Sequence, residues 1–265
     1  MLVQRIITAF FLIIFVLLGI FYLPEKWFAV IAGLIVFAGV FEYASMCQQK
    51  KTNIAFFVLS LLALFFLLEL TFPIIVLSCG VVWWFLVPYF LVYYSKNEKN
   101  ILSPIFVRWL VGALVFIPCL VGMIELKKMF GPGYLLYVLI AVWAADIGAY
   151  FSGRFFGKHK LAEHISPNKT TEGVVGGVIF SLAASLIGGY VLKLHGMQWL
   201  LVMTLIIVTC LWSVIGDLFE SMLKREANIK DSGQLLPGHG GIYDRIDSLT
   251  AAIPIFTLGL VFFLK

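Results

Sequence analysis

Charge is scarce in this chain: Asp, Glu, Lys and Arg make up 12% of its 265 residues, about half the share usual in a soluble domain. A mean hydropathy of +1.04 excludes an ordinary soluble fold and points to a chain built for lipid. Cysteine is nearly as sparse. Cys47, Cys79, Cys119 and Cys210 form no CxxC pair and lie in or beside apolar runs, so neither a disulfide framework nor a zinc cluster is implied. The glycine patterns of soluble nucleotide-binding folds are missing too. Gly153-Arg154-Phe155-Phe156-Gly157-Lys158-His159 is one residue short of a P-loop and lacks the Ser or Thr after its lysine, and Tyr243 stands where GxGxxG would need its last glycine. Any nucleotide is therefore held in another way. Internal repeats are absent, which argues against an inverted-repeat transporter.

What the chain has is length of apolar sequence. Runs at about 6–23, 27–46, 54–70, 74–94, 110–124, 134–151, 174–194, 197–215 and 249–264 are each near the roughly 20 residues a membrane helix needs. Backbone groups in hydrocarbon must be satisfied internally, so the expected fold is an all-α polytopic integral membrane protein with about nine transmembrane helices. No small-residue cleavage pattern follows Arg5, and the first run is expected to be a retained span. With the N-terminus in the cytoplasm, 14 of the 19 basic residues fall on the cytoplasmic side, leaving Lys26, Lys127, Lys128, Lys193 and Lys265 opposite. That bias follows the positive-inside rule and puts the two long polar stretches, 152–173 and 216–248, on one face. Residues 1–133 are expected to be N-terminal membrane helices and 134–265 the region that carries the chemistry. Nine of the 14 carboxylates lie between Asp146 and Asp247.

Residues 230–248 concentrate five charged side chains, His239 and four glycines. If the run before them continues as a helix past the membrane surface, Asp217, Glu220, Ser221 and Lys224 share an arc of about 100°, with Arg225 beside it. Asp244 and Asp247, three apart at the start of the last span, can point the same way. Oxygen-only ligands with no Cys or His cluster suit Mg²⁺, which brings phosphates with it. Lys224, Arg225, Lys230 and Arg245, interleaved with those acids, would neutralise a polyphosphate. The set reads as phosphoryl chemistry. A solvated loop whose charges merely anchor two helices is the plainer alternative. Intramembrane acids are costly unless paired or useful, which weighs against it for the set as a whole.

The same residues carry a resemblance. Ser221-Met222-Leu223-Lys224-Arg225, then Lys230-Asp231-x-Gly233-x-x-Leu236-Pro237-Gly238-His239-Gly240-Gly241-x-x-Asp244-Arg245-x-Asp247-Ser248, resembles the signature of the phosphatidate cytidylyltransferases, or CDP-diacylglycerol synthases. Ile165 to Gly173, "ISPNKTTEG", is similar to that family's SPKKTxEG loop, with Asn168 in place of the first lysine. The likeness runs from about Asp146 to the C-terminus; the N-terminal spans resemble the family only in being apolar. It implies transfer of a cytidylyl group from CTP to phosphatidic acid, giving CDP-diacylglycerol and pyrophosphate at a bacterial cytoplasmic (inner) membrane. Asp217, Asp244 and Asp247 would hold Mg²⁺, with a second cation conceivable. Ser221, Lys224, Arg225, Lys230, Asp231, His239 and Arg245 would complete the catalytic set. Ser166, Lys169, Thr170, Glu172, Gly238, Gly240 and Gly241 would bind substrate. Lipid surrounds the chain, no nucleic-acid partner is expected, and a homodimer is the default assembly.

Other readings stay open. His239, between two glycines, orders the loop or touches phosphate more naturally than it moves a proton. Asp146, inside an apolar run, is too costly to be idle, and Glu42 has no partner that the sequence names. A cation-coupled transporter would place its acids at mid-bilayer, and a scaffold would leave the 28-residue pattern unexplained. A CTP-dependent lipid kinase, such as a dolichol kinase, would want the same ingredients but release CDP.

Overall fold

The computed structural model describes residues 2–47, 71–97, 104–235 and 240–264, together with 57, 58, 60, 62, 64 and 65. Its helices are α1 (Leu2–Tyr22), α2 (Glu25–Met46), α3 (Pro73–Asn97), α4 (Ile105–Phe130), α5 (Pro132–Phe156), α6 (Thr171–Val191), α7 (Gly196–Glu226) and α8 (Tyr243–Leu264). Seven of them, α2 to α8, are long and apolar enough to cross a membrane, while the apolar part of α1 is the shorter Thr8–Tyr22. The chain is thus an all-α integral membrane protein. The expected span at 54–70 lies mostly outside the described residues.

Two of the expected polar stretches are more ordered than the sequence suggests. The 152–173 stretch is not a plain loop: α5 continues to Phe156, and an antiparallel hairpin follows, β1 (Lys160–Ala162) and β2 (Ser166–Thr170). The 216–248 stretch is mostly helix, because α7 runs to Glu226 and α8 begins at Tyr243. At 1.5 Å per residue the 31 residues of α7 reach about 46 Å, against roughly 30 Å of hydrocarbon, so its last turns stand clear of the lipid.

Prolines and glycines set the helix ends. Pro132 opens α5 directly after Gly131, whose φ of +92° closes α4 in a conformation that glycine adopts without strain. Lys127 in the last turn of α4 donates to the carbonyl of Leu23, 2.7 Å away, and lies 4.4 Å over the Phe28 ring, tying α4 to the turn between α1 and α2.

Lipid tails are as apolar as leucine, so helices in a membrane associate by close packing more than by a hydrophobic drive. Small residues do this here. A Cβ on Gly177 would fall 2.9 Å from the Ala145 carbonyl, and one on Gly148 2.7 Å from the Gly176 carbonyl, so α5 and α6 pack backbone to backbone. The hairpin at the end of that pair is therefore held by a rigid stem. Helix α8 is the centre of the bundle, packed by α2, α3, α4, α5 and α7. An aromatic cluster anchors its first turn: Tyr243 lies 5.0 Å from Phe116 and 6.4 Å from Tyr43, ring centre to ring centre.

Candidate active site

The site forms where α7 and α8 cross. A Cβ on Gly216 would lie 2.6 Å from the Asp247 carbonyl oxygen, so only a residue without a side chain lets the helices meet at that level. Asp217, the next residue on α7, is thereby brought beside Asp247 on α8. Glu220, one turn further along α7, joins them. Carboxylate oxygens of Asp217, Glu220 and Asp247 all lie within 4.8 Å of one another, the spacing of groups that can share one cation. Glu220 is fully buried, and among the described residues its Oε1 has no hydrogen-bond partner. Asp247 is 9% exposed. Buried carboxylates with lone pairs to spare are costly unless something positive meets them. Part of that charge is supplied by Lys224, whose ammonium is 2.5 Å from Glu220 Oε2 and 2.7 Å from Asp244 Oδ1.

Asp244, expected from sequence to join Asp217 and Asp247 on a metal, stands outside their cluster in this structure and has protein partners on both oxygens. Its Oδ1 takes Lys224, and its Oδ2 accepts from the amides of Ser232 and Gly241 at 2.9 and 2.8 Å, with the Ser232 hydroxyl oxygen 3.0 Å away. With both oxygens so engaged, Asp244 orients Lys224 and closes the α7–α8 loop. Glu220 takes its place in the carboxylate group. That residue could have been chosen from sequence, since it lies three positions after Asp217 and four before Lys224 on the same helical face.

The hairpin supplies the facing wall. Lys169 on β2 reaches across to Asp217 Oδ2 at 2.6 Å, with both side chains only partly exposed. Ser221 donates to Asp217 Oδ1 at 3.3 Å. The two polar stretches thus meet in one site. Arg225 is a clamp between them: its Nε donates to the carbonyl of Ile165 at 3.1 Å. Ser166 is half-buried on β2, whereas Asn168, Lys230, Asp231 and Arg245 are exposed. Gly240 has a φ of +78° and a Cβ there would lie 2.7 Å from Asp244 Oδ2, so this turn needs glycine twice over. Gly238 and His239 lie outside the described residues. Asp146, exposed on α5, is within electrostatic reach of Asp217, Lys169 and Arg245, which places this once-unassigned acid at the edge of the site.

Two of the expected substrate contacts also have structural partners. Thr170 is buried, and its hydroxyl accepts from the Gly173 amide at 3.1 Å as the N-cap of α6. Thr170→Val should therefore lower stability by about 1 kcal/mol, read as a lower melting temperature. Glu172 accepts from the amides of Lys158 and His159 and pairs with His159 Nδ1 at 2.6 Å, closing the hairpin onto α6. Both residues shape the loop that carries Lys169.

The Cytidylyltransferase family matches residues 3–263 of the chain. A phosphatidate cytidylyltransferase of Haemophilus influenzae is 38% identical, covering 97% of this chain and 98% of the relative. One of Pseudomonas aeruginosa is 40% identical, covering 97% and 96%. Another, from Staphylococcus haemolyticus, is 45% identical over about half of each chain, 49% and 50%. The crossing of α7 and α8, the hairpin lysine and these likenesses lead to one assignment: the chain belongs to the cytidylyltransferase family.

Proposed function

We propose that the chain makes CDP-diacylglycerol and pyrophosphate from CTP and phosphatidic acid, at a site that opens on the cytoplasmic face of a bacterial inner membrane. The observation that carries this reading is the partly buried carboxylate cluster of Asp217, Glu220 and Asp247 walled by Lys169 and Lys224, in a chain matched over nearly its whole length by phosphatidate cytidylyltransferases. In the reaction a phosphate oxygen of phosphatidic acid bonds to the α-phosphorus of CTP, and the bond from that phosphorus to the bridging oxygen of the β-phosphate breaks. Phosphatidic acid is already an anionic nucleophile, so little proton abstraction is needed. The protein's work is to bring two anions together in line and to balance their charge.

Three clustered carboxylates, one of them fully buried with an oxygen left unpartnered, fit a hard divalent ion such as Mg²⁺, and Asp217, Glu220 and Asp247 would hold it. When bound, the ion would neutralise charge on the nucleotide phosphates. The chain's own groups do the rest. Lys169 is neutralised by Asp217 across the cleft, and an arriving phosphate competes for it at partial exposure, where screening is incomplete. Lys230 and Arg245, exposed beside the loop, meet the polyphosphate and the lipid headgroup. Lys224 bridges Glu220 and Asp244 and holds both in place.

The test is a product assay on purified protein with phosphatidic acid, Mg²⁺ and CTP labelled at either the α or the γ phosphate. Label from the α position should enter lipid while γ label leaves as pyrophosphate. Entry of γ label into lipid would make the protein a kinase, and no transfer to any lipid acceptor would overturn the reading. The cytoplasmic orientation is checked with a cysteine at Leu235, an exposed loop position, which should react with an impermeant maleimide only from the cytoplasmic side. A homodimer is the expected assembly, to be read by mass photometry.

A further inference from the structure

The α7–α8 loop is fastened by a residue from the far end of the chain. Glu42 sits on the apolar helix α2, 4% exposed, and its carboxylate accepts three hydrogen bonds. Oε1 takes the Ile242 amide at 3.1 Å; Oε2 takes the Tyr243 amide and the Ser232 hydroxyl, each at 2.8 Å. The two amides open α8, where the first N–H groups of a helix have no partner within it. A carboxylate at that point also meets the positive end of the helix dipole. Glu42 is thus the N-cap of α8, supplied in space by a helix some 200 residues earlier.

The neighbouring residues are shaped around this contact. A Cβ on Gly233 would lie 2.7 Å from the Glu42 carboxyl carbon, and one on Gly241 2.6 Å from the Gly233 nitrogen. Gly233 and Gly241, two of the four glycines in the 28-residue pattern, therefore make room for an acid that lies outside the pattern. Tyr43 packs on Tyr243, and a Cβ on Gly39 would come within 3.1 Å of Ile246, so the turn of α2 that carries Glu42 presses on the first turn of α8. Ser232 passes the contact on: its hydroxyl oxygen lies 2.8 Å from Glu42 and 3.0 Å from Asp244, and it accepts from the Asp244 amide at 3.2 Å. Asp244 in turn holds Lys224, and Lys224 holds Glu220.

We propose that Glu42 is a positioning residue for nucleotidyl transfer: through Ser232 and the first amides of α8 it sets the register that keeps Asp247 against Asp217 and Glu220. The proposal rests on the cytidylyltransferase reading above. It assigns the N-terminal half a part in the site beyond anchoring it in lipid. The role calls for a carboxylate and not merely a polar group of that size. The donors are divided between both oxygens, so the amide of a glutamine would turn its NH₂ toward one of them and leave that donor unpaired.

The experiment compares the full-length wild type with Glu42→Gln, Glu42→Asp, Ser232→Ala and the Glu42→Gln/Ser232→Ala double variant in detergent. Three quantities are read: kcat and KM from α-label transfer, melting temperature, and hydrogen exchange at the Ile242 and Tyr243 amides. Glu42→Gln should lower kcat about 30-fold, the size expected for losing a hydrogen bond to a charged group, with KM for phosphatidic acid within twofold. The two amides should exchange at least about tenfold faster, as expected for an opened helix end. Glu42→Asp, which keeps two acceptor oxygens, should recover part of kcat. The double variant should be no slower than Glu42→Gln, because both changes cut one chain of contacts. A folded Glu42→Gln protein with wild-type kcat overturns the proposal, as does a lower melting temperature with kcat per folded molecule unchanged. If Glu42→Gln does not fold, Ser232→Ala decides: lower kcat at unchanged melting supports positioning, and unchanged kcat overturns it. Absence of α-label transfer by the wild type would overturn the cytidylyltransferase reading and the catalytic role with it, while slow amide exchange would still report the cap.

Discussion

Asp217→Asn is expected to lower α-label transfer into lipid by at least about 1000-fold, equivalent to roughly 4 kcal/mol of transition-state stabilisation. Asp217 is the most accessible of the three clustered carboxylates, its side chain 33% exposed, and it is the one that Lys169 reaches from the hairpin. Asparagine keeps the shape but loses the charge that attracts both the lysine and a divalent ion. Because the position is partly open to solvent, the fold should tolerate the change, with melting shifted by no more than a few degrees, as is usual for a partly exposed substitution. The prediction separates two roles for Asp217. Wild-type turnover in this variant would remove it from the cation-binding group; a collapse of the fold would make it a structural anchor of the hairpin. Lys169→Ala provides the companion measurement. It should weaken CTP binding without the same loss of kcat, since it removes one wall of the cleft and leaves the carboxylates in place.

Lys224→Met should give the largest fall in stability of any single change at the site. The ammonium lies between Glu220, fully buried, and Asp244, whose side chain is 8% exposed. Removing it strands two carboxylates beside each other without a counter-charge, and breaking a buried pair in this way costs about 3–5 kcal/mol. For a chain of this length that corresponds to a fall in melting temperature of roughly 10 °C. Turnover should be lost as well, because Glu220 and Asp244 both lose the group that orients them. The control is Lys224→Met/Glu220→Gln. Neutralising the fully buried acid should restore at least half of the lost stability while leaving the protein inactive. If Lys224→Met melts like the wild type, the pair behaves as a surface ion pair, worth well under 1 kcal/mol. The proposed interior network would then be wrong.

The all-α membrane fold and the helical face of Asp217, Glu220, Ser221 and Lys224 were legible because each depends on local regularity. A run of apolar residues must be helical in lipid, and a spacing of three and four puts side chains on one side whatever surrounds them. The hairpin β1–β2 was not legible. Strands of three and five residues, one containing Pro167, offer no alternation to read, and their pairing depends on the α5–α6 stem that brings them together. Because a helix begins at Thr171, Thr170 and Glu172, read from sequence only as substrate contacts of a loop, also serve as its cap and its brace.

The division is sharpest at the two aspartates of α8. Asp244 and Asp247 are equivalent by spacing, and sequence alone made both of them ligands. Tertiary structure separates them, because Lys224 and the 232–241 loop occupy the oxygens of one while the gap at Gly216 brings the other against α7. Glu42 follows the same rule at greater distance. By itself the sequence determined the solvent, the helices and the family, which are properties of composition, period and fixed spacing. Which carboxylate joins the acidic cluster, which one holds a lysine and which one caps a helix was decided only by packing. Hydrogen bonds reach about 3 Å, and only the fold brings residues some 200 positions apart to that distance.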